Sequence, residues 1–177
     1  MNGSHRGENT IAMKELFSQY AAYNVWAHHK LLYQIQQMEE QHWYAEVPSS
    51  FNSLYKTILH MWDAESGWFQ RMRLHEKIVV PSDSFDPSLK DACNGLIQQS
   101  MQWEPLINEG LGEEGLRSSL VYKNSRGEVF QQPVHEVLLH VFNHSAYHRG
   151  QLVTMMRQLG ETNIPQTDFI LFARKAG

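Results

Sequence analysis

The spacing of apolar residues predicts an all-α protein: a four-helix bundle with a short β-hairpin before its last long helix and a short C-terminal helix. Three observations carry that expectation. Four separate stretches place apolar residues at three- and four-residue intervals, the pattern of a helix with one buried face. A single pair of strand-like segments flanks a turn-forming run. The chain has 177 residues, 42% hydrophobic and 19% charged, which suits one packed core and falls short of two.

Residues 1–12 begin with the polar run NGSHRGENT and are expected to form a disordered arm ahead of a single domain over residues 13–177. The run has no apolar core of the kind a secretory signal needs. From about Ile11 to Glu40, Met13, Phe17, Tyr20, Leu31, Ile35 and Met38 mark one helix face, with Asn24 and His28 as polar positions in mid-stripe. Val47-Pro48-Ser49-Ser50 breaks the rhythm, and Asn52 or Ser53 can cap a second helix running to about His75. Its bulky face carries Leu54, Ile58, Met61, Glu65, Trp68 and Met72. A second stripe, Ser53, Thr57, His60, Ala64 and Gly67, is small except for the histidine, which permits close helix approach or leaves room for a ligand.

A third helix is expected after a cap at Ser84 or Asp86, with Pro87 in its first turn. Leu89, Cys93, Leu96, Ile97, Ser100, Trp103 and Ile107 continue its rhythm as far as the glycine-rich GLGEEG. Leu120-Val121-Tyr122 and Val129-Phe130 flank KNSRGE as a hairpin. Pro133 then opens the fourth long helix and Gly160 suits its end. Asp168 or Thr167 can cap a last short helix over DFILF. An antiparallel bundle is the leading arrangement, although the long link before the fourth helix allows a crossover.

Composition narrows the function. A formal charge of −4 with scattered lysines and arginines lacks the basic stripe that nucleic-acid binding requires. No apolar run is long enough to span a bilayer. Cys93 is the single cysteine, so no internal disulfide forms and a cytoplasmic location is the simplest expectation. GxSxG, GxGxxG and GxxxxGK[ST] patterns do not occur. His135 and His140 enclose one residue too many for the HExxH pattern of zinc proteases.

The fourth helix carries the sharpest signal. His144 and His148 stand one turn apart in the centre of a face otherwise made by Val134, Val137, Val141, Leu152, Met155 and Leu159. Two imidazoles at that spacing can aim nitrogens at one point, as helix-borne zinc ligands do; the alternative is a pair of hydrogen-bonded core histidines. A third ligand must come from another helix, and His60 and His28 are the candidates. His140 is rotated to the flank, while His5, His29, His42, His75 and His135 read as solvated. Glu65 is expected to pair with an arginine such as Arg71 or Arg149, or to orient a metal-bound histidine.

The stretch HVFNHSAYHRGQL, from His140 to Leu152, resembles the hallmark of the DinB/YfiT-like superfamily. YNVWAHHKLL is similar to that family's first helix and SLYKTILHMWDAESGWFQRM to its second. LVYKNSRGEVFQQPVHEVLLHV is similar to its hairpin and the start of its last long helix, and LGETNIPQTDFILF to its closing segment. The resemblance implies a four-helix bundle, often dimeric, in which His60, His144 and His148 bind one divalent ion. It departs at His28, where the family commonly has asparagine. Asn24 and His28 are expected to line the same pocket from the first helix.

A divalent ion held by three neutral imidazoles keeps open positions and its full charge. The resemblance favours a transferase that activates a low-molecular-weight thiol for attack on small electrophiles. The alternatives are a hydrolase using hydroxide on the metal and a non-catalytic metal-binding protein of a stress response. Zinc or nickel is expected, with iron and manganese also compatible with imidazole. The expected partners are a small-molecule substrate and a second copy of the chain. Trp26, Tyr33, Trp62, Trp68 and Phe69 together exceed what one bundle interior hides.

Overall fold

The computed structural model describes residues 12–124 and 126–176, so the expected arm lies outside the described residues except for Ala12. In chain order the elements are α1 (Met13–Gln37), α2 (Glu40–Tyr44), α3 (Leu54–Met72), α4 (Pro81–Ser84), α5 (Leu89–Ser100) and α6 (Trp103–Pro105). A π-helical turn (Leu106–Leu111), α7 (Gly112–Arg117), β1 (Ser119–Lys123), β2 (Val129–Pro133), α8 (Val134–Gln158) and α9 (Phe169–Ala176) follow. The bundle is built from α1, α3, α5 and α8.

Local chemistry sets the helix ends. Ser53 caps α3 by accepting from the Lys56 amide at 3.1 Å. The expected cap of the third helix at Ser84 or Asp86 is corrected to Ser88. Ser88 Oγ accepts from the Asp91 amide at 3.2 Å, and Asp91 accepts from the Ser88 amide at 3.1 Å. This reciprocal box satisfies two amides that the first turn cannot. Helix α1 stops at Gln37, two turns short of Trp43, whose Nε1 folds back to donate to the Ile35 carbonyl at 2.9 Å. The third helix reaches the glycines as expected, ending at Gly112, but in pieces rather than as one α-helix. Pro105 has no N–H for the Met101 carbonyl and its ring crowds that carbonyl, so α5 ends at Ser100 and short pieces follow.

Gly160 ends α8 as expected, at φ 88°. The Glu161 amide donates to the Met156 carbonyl at 2.9 Å, the pairing of a left-handed C-terminal turn. The same turn closes α3, with the His75 amide on the Gln70 carbonyl, yet Leu74 occupies the left-handed position at φ 57°. The hairpin pairs Ser119 with Pro133 through Lys123 with Val129, and it delivers Val134 directly into α8.

Side-chain pairings fix the helix directions. Tyr20 meets Phe142 and Asn24 meets Arg149, so α1 and α8 run parallel. Thr57 meets Met155, Glu65 meets Ser145 and Trp68 meets His140, so α3 runs against α8. Tyr55 meets Pro87, Glu65 meets Ser100 and Phe69 meets Trp103, so α3 and α5 are parallel. The order is therefore up, down, down, up, in place of the simple antiparallel alternation. Each helix packs on two others, and α1 lies diagonal to α3 as α5 does to α8. Residues 73–88 must consequently travel back along the bundle between the parallel α3 and α5, which come so close that a Cβ on Gly95 would overlap the Trp62 indole.

The core has two apolar clusters. One gathers Leu31, Ile35, Leu54, Ile58, Leu96 and Met155; the other gathers Phe17, Trp103, Ile107, Val137 and Phe142. Polar side chains from all four long helices, Asn24, His28, Glu65, Ser100, Ser145 and Arg149, are buried between them. Among the aromatics expected to seek a partner copy, Trp26 packs on Phe172, Trp62 on Phe85, Trp68 on Tyr122 and Phe69 on Trp103; Tyr33 remains 66% exposed. No helix among the described residues is long and apolar enough to cross a membrane.

Candidate metal centre

Antiparallel packing of α3 on α8 carries His60 to the level of His144 and His148. His60 Nε2 lies 3.2 Å from His144 Nε2, and His148 Nε2 lies 3.1 Å from the same atom. One ligand nitrogen of each falls within 4.8 Å of the others, and among the described residues no carboxylate oxygen joins them. Phe51, from the segment before α3, stacks on His60 with ring centres 3.9 Å apart and an interplanar angle of 20°. His140 flanks the trio, its ring centre 5.9 Å from that of His144.

Hydrogen bonding fixes the state of His148. Gln151 presents its amide oxygen to His148 Nδ1 at 2.7 Å and its amide nitrogen to Tyr147 Oη at 3.1 Å and Ser50 Oγ at 3.2 Å. A carbonyl oxygen only accepts, so Nδ1 carries the hydrogen and neutral His148 aims the Nε2 lone pair at the trio. Burial and the neighbouring His148 pull the pKa of His60 down to about 4. Burial, with the surrounding histidines, does the same to His144. Burial also lowers the pKa of His148, opposed by the Gln151 bond. All three are therefore neutral near pH 7.

This arrangement fits a cation. A single hydrogen on His144 Nε2 cannot serve both neighbouring nitrogens well, whereas an ion at their common point takes up every lone pair. Nitrogens bound to one zinc at ~2.0–2.1 Å in tetrahedral directions stand about 3.3 Å apart, close to the two separations present.

Asn24, His28 and Glu65 do not line this cluster, which corrects the expectation of one shared pocket. Their side-chain hydrogen-bond partners are one another, Ser100, Trp103, Ser145 and Arg149, and none is a ring of the trio. Glu65 pairs directly with neither Arg71 nor Arg149 and touches no histidine of the trio. Its Oε1 accepts from Asn24 Nδ2 at 3.0 Å and Ser145 Oγ at 2.8 Å; Oε2 accepts from Ser100 Oγ at 2.7 Å and Trp103 Nε1 at 3.1 Å. Burial raises the Glu65 pKa and these four bonds oppose the rise. Four donors match the lone pairs of a carboxylate, so the layer is built for the ionised form.

His28 has both ring nitrogens engaged, Nδ1 with Ser100 Oγ at 3.0 Å and Nε2 with Arg149 Nη1 at 3.2 Å. Arg149 can only donate to Nε2, so His28 is neutral and donates from Nδ1 to Ser100, which donates to Glu65. Burial first, then the Arg149 charge, hold the His28 pKa well below its usual value. Arg149 also donates to Asn24 Oδ1, completing a chain from buried cation to buried anion.

Sequence reasoning missed Gln151 and Phe51. The i+3 spacing from His148 to Gln151 is a signal that could have found the first; stacking of Phe51 depends on a loop path that no local pattern encodes. His135, expected to be solvated, bonds through Nδ1 to the Leu116 carbonyl at 3.0 Å. His5 lies outside the described residues.

Comparison with known proteins agrees with this architecture. A family model described as the DinB family matches residues 5–176. The chain is similar to Protein DinB of Bacillus subtilis (strain 168), 24% identical over 159 residues that cover 85% of this chain and 89% of that protein.

Proposed function

This chain belongs to the DinB family, and from that premise we propose that it is a metal-dependent transferase joining a low-molecular-weight thiol to a small electrophile. The observation that carries the reading is the all-imidazole donor set of His60, His144 and His148, converging without a carboxylate among the described residues. His60, His144 and His148 would hold a divalent ion whose full double charge would supply binding of a soft anion such as a thiolate and acidification of the thiol it comes from. Zinc or nickel suits the three nitrogens best.

The protein's own groups have defined tasks. Gln151 holds the His148 ring so that Nε2 stays available. Phe51 covers one face of His60 and limits water there. A cavity of about 250 Å³ borders His140, the neighbour of His144; Gln132 and Glu136 line it on the polar side, and Trp68, Tyr122 and Val137 offer an apolar wall for the electrophile. In the reaction the sulfur bonds to the electrophilic carbon, the leaving group departs with its bonding pair, and the thiol proton goes to solvent. The hydrolase alternative is less well supported. Activating water calls for a base to take its proton; Glu65 spends all its lone pairs in the buried layer, and Glu136, which borders the cavity, is not among the groups that converge with the three histidines.

Turnover of monobromobimane, with and without added thiol, and of 4-nitrophenyl acetate by zinc-loaded protein tests the reading. Conjugation that requires both added thiol and metal supports it. Ester cleavage without thiol supports the hydrolase, and no turnover of either kind supports a binding protein.

A further inference from the structure

His60, Ala64, Gly67 and Arg71 lie on one stripe of α3, so the small residues that begin at a histidine of the trio end at a guanidinium. Arg71 Nε donates to the Lys123 carbonyl at 3.1 Å, and the guanidinium carbon lies 5.1 Å from the centre of the Trp68 ring. Its Nη1 leans back over Gly67, where an added Cβ would stand 3.2 Å away. At ~1.5 Å rise per residue, that places the charge roughly 10 Å along the helix from the level of His60.

Arg71 is half-buried, and among the described residues no carboxylate lies within ion-pair distance of it. It borders a cavity of about 490 Å³ between the end of α3 and the hairpin, whose walls include Ile78, Val121, Tyr122 and Val129, with Lys123 adding a second cation. Glu76 also borders this cavity but makes no pair with Arg71. Tyr122 is shared with the smaller cavity beside His140. Apolar walls with an unpaired guanidinium are the recognition pattern for an anion on an apolar body.

We propose that Arg71 anchors the carboxylate of a substrate whose apolar body lies along Trp68 and Tyr122 and whose reacting end reaches His60, His144 and His148. This rests on the transferase reading for the reacting end, while the anchor itself does not. The substrate class is a thiol or an electrophile bearing a carboxylate about 10 Å from its reacting atom. Arg71 also fastens the hairpin to α3, so its test needs a readout that fastening alone would not move.

That readout is charge preference. Naphthalene-2-carboxylate and naphthalene-2-carboxamide are titrated calorimetrically into zinc-loaded wild type, R71Q and R71K. Wild type is expected to favour the carboxylate by about tenfold or more, the range of a charge-assisted hydrogen bond. R71Q should lose most of the preference, Lys123 accounting for what remains, and R71K should keep more of it than R71Q. Equal binding of the two probes by wild type, or a preference that R71Q retains in full, overturns the assignment. Carboxyl and methyl-ester forms of the thiol and of the electrophile, compared in turnover, identify which substrate carries the anion: its KM rises in R71Q while kcat holds. An intact probe preference with no thiol turnover would count against the transferase reading alone.

Discussion

Glu65→Gln is the sharpest test of the buried layer. The carboxylate accepts four hydrogen bonds, two of them from donors that cannot reverse. Trp103 Nε1 has only its hydrogen to offer Oε2, and Asn24 presents Nδ2 to Oε1 because its own Oδ1 is taken by Arg149. Whichever way a glutamine amide turns, its NH₂ faces one of these N–H groups. The substitution thus removes a charge-assisted bond, worth about 1.5–3 kcal/mol, and leaves a buried donor unsatisfied at about 1–3 kcal/mol. It also strips Arg149 of its counter-charge in the same layer. A loss of about 3–5 kcal/mol follows, which at ~1–3 kcal/mol per molar urea lowers the unfolding midpoint by at least about 1 M. The assay is urea unfolding of metal-stripped protein followed by far-UV circular dichroism. Zinc affinity of the folded variant should stay within a few-fold of wild type, because Glu65 touches none of the three histidines. An unchanged midpoint would refute the layer as described. A folded variant that loses zinc as a ligand variant does would return Glu65 to the role of orienting the metal site.

Three further outcomes are expected. Gly95→Ala should destabilise by about 1–3 kcal/mol in the same assay, because the new methyl overlaps the Trp62 ring and must push α3 from α5; an unchanged midpoint would mean the helices are not so close. Leu74→Gly should raise the midpoint by up to about 1 kcal/mol equivalent, since Leu74 is 72% exposed and sits at φ 57°, where a side chain costs more than it contributes. Gln151→Ala should weaken zinc binding roughly 10–100-fold with all three ligands intact, and calorimetry showing no change would deny it the role of holding His148.

Much of the fold could be read from the chain because helix faces are local. The stripes of α1, α3 and α8 point inward as their spacing implies, and Gly160 and the hairpin fall where their chemistry puts them. The helix order could not be read the same way. Periodicity states which face is buried and says nothing about which neighbour buries it, so the diagonal placement of α1 and α3 stayed hidden. Asn24 and His28 illustrate the consequence: both are buried mid-stripe residues, 1% and 0% exposed, yet they meet Glu65 and Arg149 in place of a metal site. The break after Ser100 was readable in principle from Pro105 and was masked by the apolar rhythm that continues to Ile107. His144 and His148 needed only the i, i+4 rule. His60 needed the partner helix, and the choice between it and His28 came from family resemblance.

The proposed chemistry depends on His60, His144 and His148 sharing one divalent ion. Calorimetric titration of zinc into metal-stripped wild type and into His60→Ala, His144→Ala and His148→Ala tests it most directly. Wild type should take up one ion per chain, and each variant should lose more affinity than the roughly 10–100-fold expected for an outer partner such as Gln151. Folding should be retained in each, since the three side chains lie outside the two apolar clusters. Three variants that bind zinc as tightly as their parent would contradict it.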